Sequence, residues 1–277
     1  MLHPHDLHGR GRGDCRRPAR RCDRRPGGPD GLFRGGGMST LDVRDIRASH
    51  GQLVAAQGIS FRVEAGRMLF LAGANGAGKT TLLRTIAGDH RQDGGTIRLS
   101  GVNVTDMPAH MRARAGLSLV PEGRRLFPQM TVRENLQLGA STSREGPWSV
   151  EAIYDAFPNL EKLDRSPAGK LSGGEQQAVA IGRALMGDPV AIMLDEVSLG
   201  LSPAAVELAY QALRKVRDAG IALLVVEQDL TRALACADEL IVMCEGREML
   251  RSLPGETTLD ALVSASLGHG KNEEVAA

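Results

Sequence analysis

The sequence predicts an α/β fold: an open, largely parallel sheet with helices on its faces, an antiparallel β layer at its start and a helical insertion near its middle. Three observations predict it. Met68-Leu69-Phe70-Leu71 is an apolar run of strand length. It feeds a glycine-rich turn and then Leu82-Leu83-Arg84-Thr85-Ile86-Ala87, which can continue a helix as far as Gly88. Residues 191–194 and 221–226 are unbroken apolar runs, the pattern of strands buried on both faces. Residues from about 125 to 187 are mainly helical in periodicity and fall between strand signals.

At 277 residues, 42% hydrophobic and 24% charged, the chain is ordinary for a globular protein with a sizeable core. Its longest apolar run, residues 221–226, is far short of the roughly 20 residues that span a bilayer. The net charge of +1 conceals an asymmetry: residues 1–37 hold nine Arg against four Asp, and the other 240 residues total −4. That first segment, with nine Gly and four Pro, has almost no apolar periodicity. It cannot bury enough surface to offset its ordering entropy and is expected to be a disordered basic extension. The protein-like sequence begins at Met38, so residues 1–37 are expected to be a mis-called start or a dispensable tail. They lack the apolar core of a signal peptide. The competing readings are a basic arm for nucleic acid or anionic lipid, and a metal clip of His3, His5 and His8. Cys15, Cys22, Cys236 and Cys244 contain no C-x-x-C pair, which points to a reducing compartment without a zinc site or disulfide framework.

The folded domain is expected over residues 38–277. Residues 41–46 and 59–63 alternate apolar and polar side chains, as half-buried strands do. Asp93-Gly94-Gly95 is a turn signal leading into Thr96-Ile97-Arg98-Leu99, which completes the antiparallel layer. Leu117-Ser118-Leu119-Val120 is the next strand, ended by Pro121.

The turn after residue 72 carries the chemistry. Gly73-Ala74-Asn75-Gly76-Ala77-Gly78-Lys79-Thr80-Thr81 fits G-x-x-x-x-G-K-[ST] at every fixed position and has the strand and helix flanks that the pattern requires. Phosphate oxygens must approach bare backbone N–H groups, so glycines supply the curve and the following helix points its positive end at the anion. Lys79 is expected to bridge the β- and γ-phosphates and the Thr80 hydroxyl to ligate Mg²⁺. The loop therefore implies a nucleoside triphosphate with Mg²⁺.

Residues 121–128 read as a loop, and Thr131 with Glu134 has capping-box spacing at a helix start. Helical periodicity returns over residues 150–157. Leu171-Ser172-Gly173-Gly174-Glu175 then opens a helix whose two glycines leave N–H groups available to a second anion, while Ser172 and Glu175 have the spacing of a further capping box. One chain needs one phosphate loop, so a second such helix start suggests a nucleotide shared between two subunits. The strand over residues 191–194 ends in Asp195-Glu196, and the carboxyl end of a strand is where ligands bind in open α/β folds. Asp195 is expected to hold Mg²⁺ through water, and Glu196 to orient and deprotonate an attacking water. Ser202-Pro203 starts a helix, residues 221–226 form a buried strand ending at Glu227-Gln228-Asp229, and a helix, a strand over 240–243 and a weakly helical tail follow.

A phosphate loop, then Leu171-Ser-Gly-Gly-Glu175, then the apolar run into Asp195-Glu196, in this order, resembles the ATP-binding subunit of an ABC transporter. Residues 120–128, 130–136, 194–201 and Val226-Glu-Gln-Asp229 resemble the LivF type, one of two ATPase subunits of branched-chain amino acid importers. The resemblance implies a P-loop NTPase fold, with a RecA-like core sheet, an antiparallel β layer and an inserted helical subdomain at about 125–187, making a single ABC ATPase cassette. It implies ATP hydrolysis coupled to transport at the cytoplasmic face of the membrane, with the cassette peripheral to two integral membrane permeases. A second ATPase subunit, the same or different, and indirectly a periplasmic or extracellular binding protein are the implied partners. Gly73 to Thr81 would then act in cis. Ser172, Gly173 and Gly174 would act in trans on the partner's γ-phosphate, and the loop from Glu122 to Phe127 would pass motion to the permease. The same resemblance puts His50 at the adenine-stacking position, Glu122 where most relatives carry a Gln that senses Mg²⁺ and γ-phosphate, and Gln228 at the position of a switch His. Val197 replaces a usual proline.

The alternative is a soluble ABC-type ATPase acting on nucleic acid or ribosomes, with the arginine-rich start as its arm. The chain has one cassette, no heptad run and no cysteine cluster, and its body is slightly acidic, so no nucleic-acid partner is expected.

Overall fold

The computed structural model describes residues 39–51, 53–142, 144 and 146–269. The basic segment 1–37 and its three histidines lie outside the described residues. Among the described residues, an antiparallel sheet forms from β1 (Ser39–His50), β2 (Leu53–Glu64), β4 (Gly94–Leu99) and β5 (Val102–Asn103), in the order β2-β1-β4-β5. Alternation explains the pairing. Leu41, Val43, Ile59, Phe61, Val63, Ile97 and Leu99 all turn inward, and on β2 and β4 their polar neighbours face out.

The second sheet has the order β10-β9-β3-β8-β7-β6. Its strands are β3 (Met68–Ala72), β6 (Leu117–Val120), β7 (Ala191–Asp195), β8 (Ala222–Glu227), β9 (Glu239–Cys244) and β10 (Arg247–Ser252). All neighbours are parallel except β10, which returns antiparallel to β9 through the turn at Glu245-Gly246. The period of two divides β3 between two cores. Met68, Phe70 and Ala72 face one, and Leu69 and Leu71 the other. Strands β7 and β8 divide the same way, which is why they read as unbroken apolar runs.

One core lies between the two sheets and holds α1 (Lys79–Ala87) through Leu82, Leu83 and Ile86. The short α2 (Ala109–Ala115) precedes β6. On the opposite face, α3 (Val132–Gly139), α4 (Val150–Ala156), α5 (Pro158–Glu161) and α6 (Gly173–Leu185) occupy the stretch between β6 and β7. Helices α7 (Pro203–Asp218), α8 (Leu230–Cys236) and α9 (Leu259–Ser266) complete that side. Both capping boxes form: Thr131 with Glu134 at α3, and Ser172 with Glu175 at α6. Strand β10, strand β5 and helix α2 have no counterpart in the expectations drawn from the sequence. Strand β10 has an indistinct pattern because it is an edge strand with both faces partly exposed.

Candidate functional site

Strand order places the site. With β3, β8 and β7 adjacent and parallel, their carboxyl ends open side by side, and the loops after β3, β6, β7 and β8 converge there. A cavity of about 390 Å³ is lined by Asn75, Gly76, Gly78, Lys79, Thr80 and Thr81 from the first loop. Glu122 from the second, Glu196 and Leu199 from the third, and Gln228 from the fourth close it.

The glycine loop wraps tightly against its surroundings. Gly78 has φ +97°, and a Cβ there would run into the Ala55 carbonyl at the start of β2. Gly73 is in the same position relative to the Met243 carbonyl of β9. Lys79 is buried, and its ammonium donates to the Gly73 and Ala74 carbonyls at 2.8 and 2.9 Å. Burial pulls its pKa below the ordinary lysine value, against the charges of Glu196, Asp195 and Glu227, which support the ammonium.

Thr80 Oγ1 donates to Asp195 Oδ1 at 3.2 Å. The Asp195 carboxyl is pushed up to about 6, first by burial, with Glu196 and Glu122 adding repulsion against the Thr80 bond and Lys79. A hydroxyl and a carboxylate in contact suit a hard cation that takes its remaining ligands from water and phosphate. No group of three or more His, Cys, Asp or Glu side chains that could hold a metal occurs among the described residues. The donor set fits Mg²⁺ held jointly with a nucleotide, and it does not make an all-protein cage.

Glu196 departs from the extended strand expected of it. It lies just past β7 with φ +53°, and its N–H donates to the Val226 carbonyl at 3.0 Å. This left-handed turn costs about 1–2 kcal/mol in a non-glycine residue, and it swings the carboxylate into the cavity. Gln228 Nε2 donates to Glu196 Oε1 at 2.5 Å, so the two groups act as a unit.

The other anticipated residues sit elsewhere. His50, at the end of β1, is exposed, does not line the cavity, and lies 6.0 Å from the His90 ring. Ser172, Gly173 and Gly174 also lie outside the cavity lining, where Gly174 packs against Ala205 at the start of α7. Two residues to which the sequence gives no individual site role also shape the cavity. Leu199 lines the cavity, and Arg124 ties the 121–128 loop to Leu199 O at 3.2 Å and to Gln176 and Gln177 at 3.3 Å. Neither carries a local sequence signal, since both depend on long-range packing.

Residues 56–198 match the family model described as ABC transporter. The chain belongs to the ABC transporter family. It is an ATP-binding, ATP-hydrolysing cassette of such a transporter. It is 38% identical over 209 residues to the high-affinity branched-chain amino acid transport ATP-binding protein BraG of Pseudomonas aeruginosa, covering 75% of this cassette and 90% of that protein. A probable branched-chain amino acid transport ATP-binding protein, LivF of Archaeoglobus fulgidus, is 37% identical over 64% of the cassette and 76% of its own length. Nod factor export ATP-binding protein I of Burkholderia orbicola is 33% identical, over 83% and 75% respectively. Among solved structures, the ADP conformation of an ABC transporter cassette superposes with a TM-score of 0.72 at 28% identity, covering 83% of this cassette and 99% of that chain.

Proposed function

We propose that the cassette is one ATPase subunit of a branched-chain amino acid importer, working on the cytoplasmic face of the membrane beneath two permeases. The observation that carries the catalytic part is the convergence of Lys79, Thr80, Glu196 and Gln228 on one cavity, with Asp195 bonded to Thr80 behind it. The similarity to the BraG and LivF proteins supports the substrate class. Among the described residues no helix is long and apolar enough to cross a membrane, in keeping with a peripheral subunit.

Each side chain then has a task. The backbone of residues 73–81 and Lys79 hold the phosphates, with His50 toward the base. Thr80 and Asp195 would hold Mg²⁺, which when bound neutralises phosphate charge. Glu196 takes the proton of the attacking water, and Gln228 holds the Glu196 carboxylate in place. Unlike a histidine, Gln228 does this without becoming cationic. Glu122 adds a carboxylate beside the phosphates. Ser172, Gly173 and Gly174 face a second ATPase subunit, whose nucleotide they complete in trans, and a binding protein delivers the amino acid to the permeases.

Glu196→Gln is expected to keep ATP binding and to slow turnover by about 10²-fold or more, the usual share of a general base. Near-normal turnover removes Glu196 from that role. The Nod factor export relatives favour a second reading, export. Uptake of labelled leucine, isoleucine and valine by cells with and without the chain separates the two, because loss of uptake on deletion fits only the importer.

A further inference from the structure

Beyond the groups that line the cavity, one buried carboxylate is tied to them. Glu227, the last residue of β8, is 2% exposed and directly precedes Gln228. Its Oε1 accepts from the Ser198 N–H at 3.0 Å and from the Tyr210 hydroxyl at 2.7 Å. Its Oε2 accepts from Ser198 Oγ at 2.8 Å. Tyr210, on α7, is itself fully buried.

This arrangement continues the β7–β8 ladder past the end of the strands. The last backbone bond is Glu196 N–H to Val226 O, and the next rung is made by a side chain, Glu227 accepting from Ser198 N–H. Glu196 is therefore pinned on both sides, and its left-handed φ of +53° is over-determined. We propose that Glu227 is a positioning residue for hydrolysis: its hydrogen bonds to Ser198 hold the turn that aims Glu196 at the cavity in register with Gln228. The inference rests on the reading of Glu196 as the base. It assigns Glu227 no contact with nucleotide or water.

The test separates reach from charge. Glu227→Gln keeps the reach: Oε1 can still accept from Ser198 N–H and Tyr210, and its amide can donate to Ser198 Oγ. Glu227→Asp keeps the charge and is one methylene too short. ATP turnover is measured in membranes co-expressing the proposed permease and partner ATPase subunits, with Tyr210→Phe as a stability control. The Asp variant is expected to lose about 30-fold or more in kcat with KM for ATP unchanged within about 3-fold, since misplacement of about 1 Å is enough for such losses. The Gln variant is expected to stay within about 5-fold of wild type, and Tyr210→Phe to lower the melting temperature while keeping kcat. Equal losses in Gln and Asp, normal turnover in Asp, or a KM that rises in step overturns the inference. If the Asp variant does not fold, Ser198→Ala replaces it. There a kcat loss of at least about 3-fold at constant KM supports the positioning role, and no loss overturns it. Glu196→Gln is measured in parallel. If that variant hydrolyses normally, the reading of the base has failed and this inference falls with it. If it is slow while Glu227→Asp is normal, only this inference fails.

Discussion

Asp195 shows how the site trades stability for readiness. A carboxyl held at about 6 in the folded chain, against 3.8 ordinarily, binds its proton more tightly folded than unfolded. Its contribution to stability is therefore full below about pH 4 and is lost as pH rises through 6. At neutral pH it is a buried anion beside Glu196 and Glu122, relieved only by Thr80 and Lys79. Asp195→Asn is thus expected to raise the melting temperature of nucleotide- and metal-free protein at pH 8, and to do so much less at pH 5. An equal gain at both values, by differential scanning fluorimetry, contradicts this. Most of the cavity lining was legible at this scale, because phosphate binding demands glycine, lysine and a hydroxyl at fixed spacing. Glu227 and Arg124 were not, because a carboxylate at a strand end and an arginine in a loop look the same whether buried in a network or bathed in water.

At the scale of elements, α1 depends on a residue it does not contain. Arg112 of α2 is 3% exposed, and its guanidinium donates to the Thr85 and Ile86 carbonyls at the end of α1, and to Met107 and Thr105. It brings a cationic donor to the carbonyls at the negative pole of the helix, alongside the Gly88 N–H that also reaches Thr85 O. Arg112→Ala is expected to cost at least about 3 kcal/mol in urea unfolding, because several buried carbonyls lose a charged donor at once. A change below 1 kcal/mol, on the order of a surface substitution, refutes the cap. Helix α2 went unread in the sequence for the same reason: its anchor points outward from its own seven residues to a helix some 25 positions away. The capping boxes at α3 and α6 were legible because all their partners lie within three residues. The glycine loop makes a sharper prediction. Gly78→Ala combines a positive φ with a collision against Ala55 O in β2, so both nucleotide affinity and melting temperature are expected to fall together. Retained affinity in an equilibrium binding assay contradicts that geometry.

For the whole molecule, half of each proposed site comes from another copy or a partner. Purified alone, the cassette is expected to hydrolyse ATP poorly, with turnover rising when its partner ATPase and permeases are added. Full activity from a species that stays monomeric in sedimentation removes the trans role of Ser172 to Gly174. The fold class was legible from the apolar runs, but the strand order was not, since parallel pairing joins segments distant in the chain and leaves no local mark. That order also has a consequence in time. Strand β3, which launches the phosphate loop, pairs only with β8 and β9, the nearer of which leaves the ribosome roughly 150 residues later, or about 10–30 s at ordinary synthesis rates. The nucleotide-binding loop is thus among the first chemistry-bearing segments to be made and among the last to find its place. A nascent chain halted before residue 222 carries the whole glycine motif and lacks both sheet neighbours of the strand that launches it.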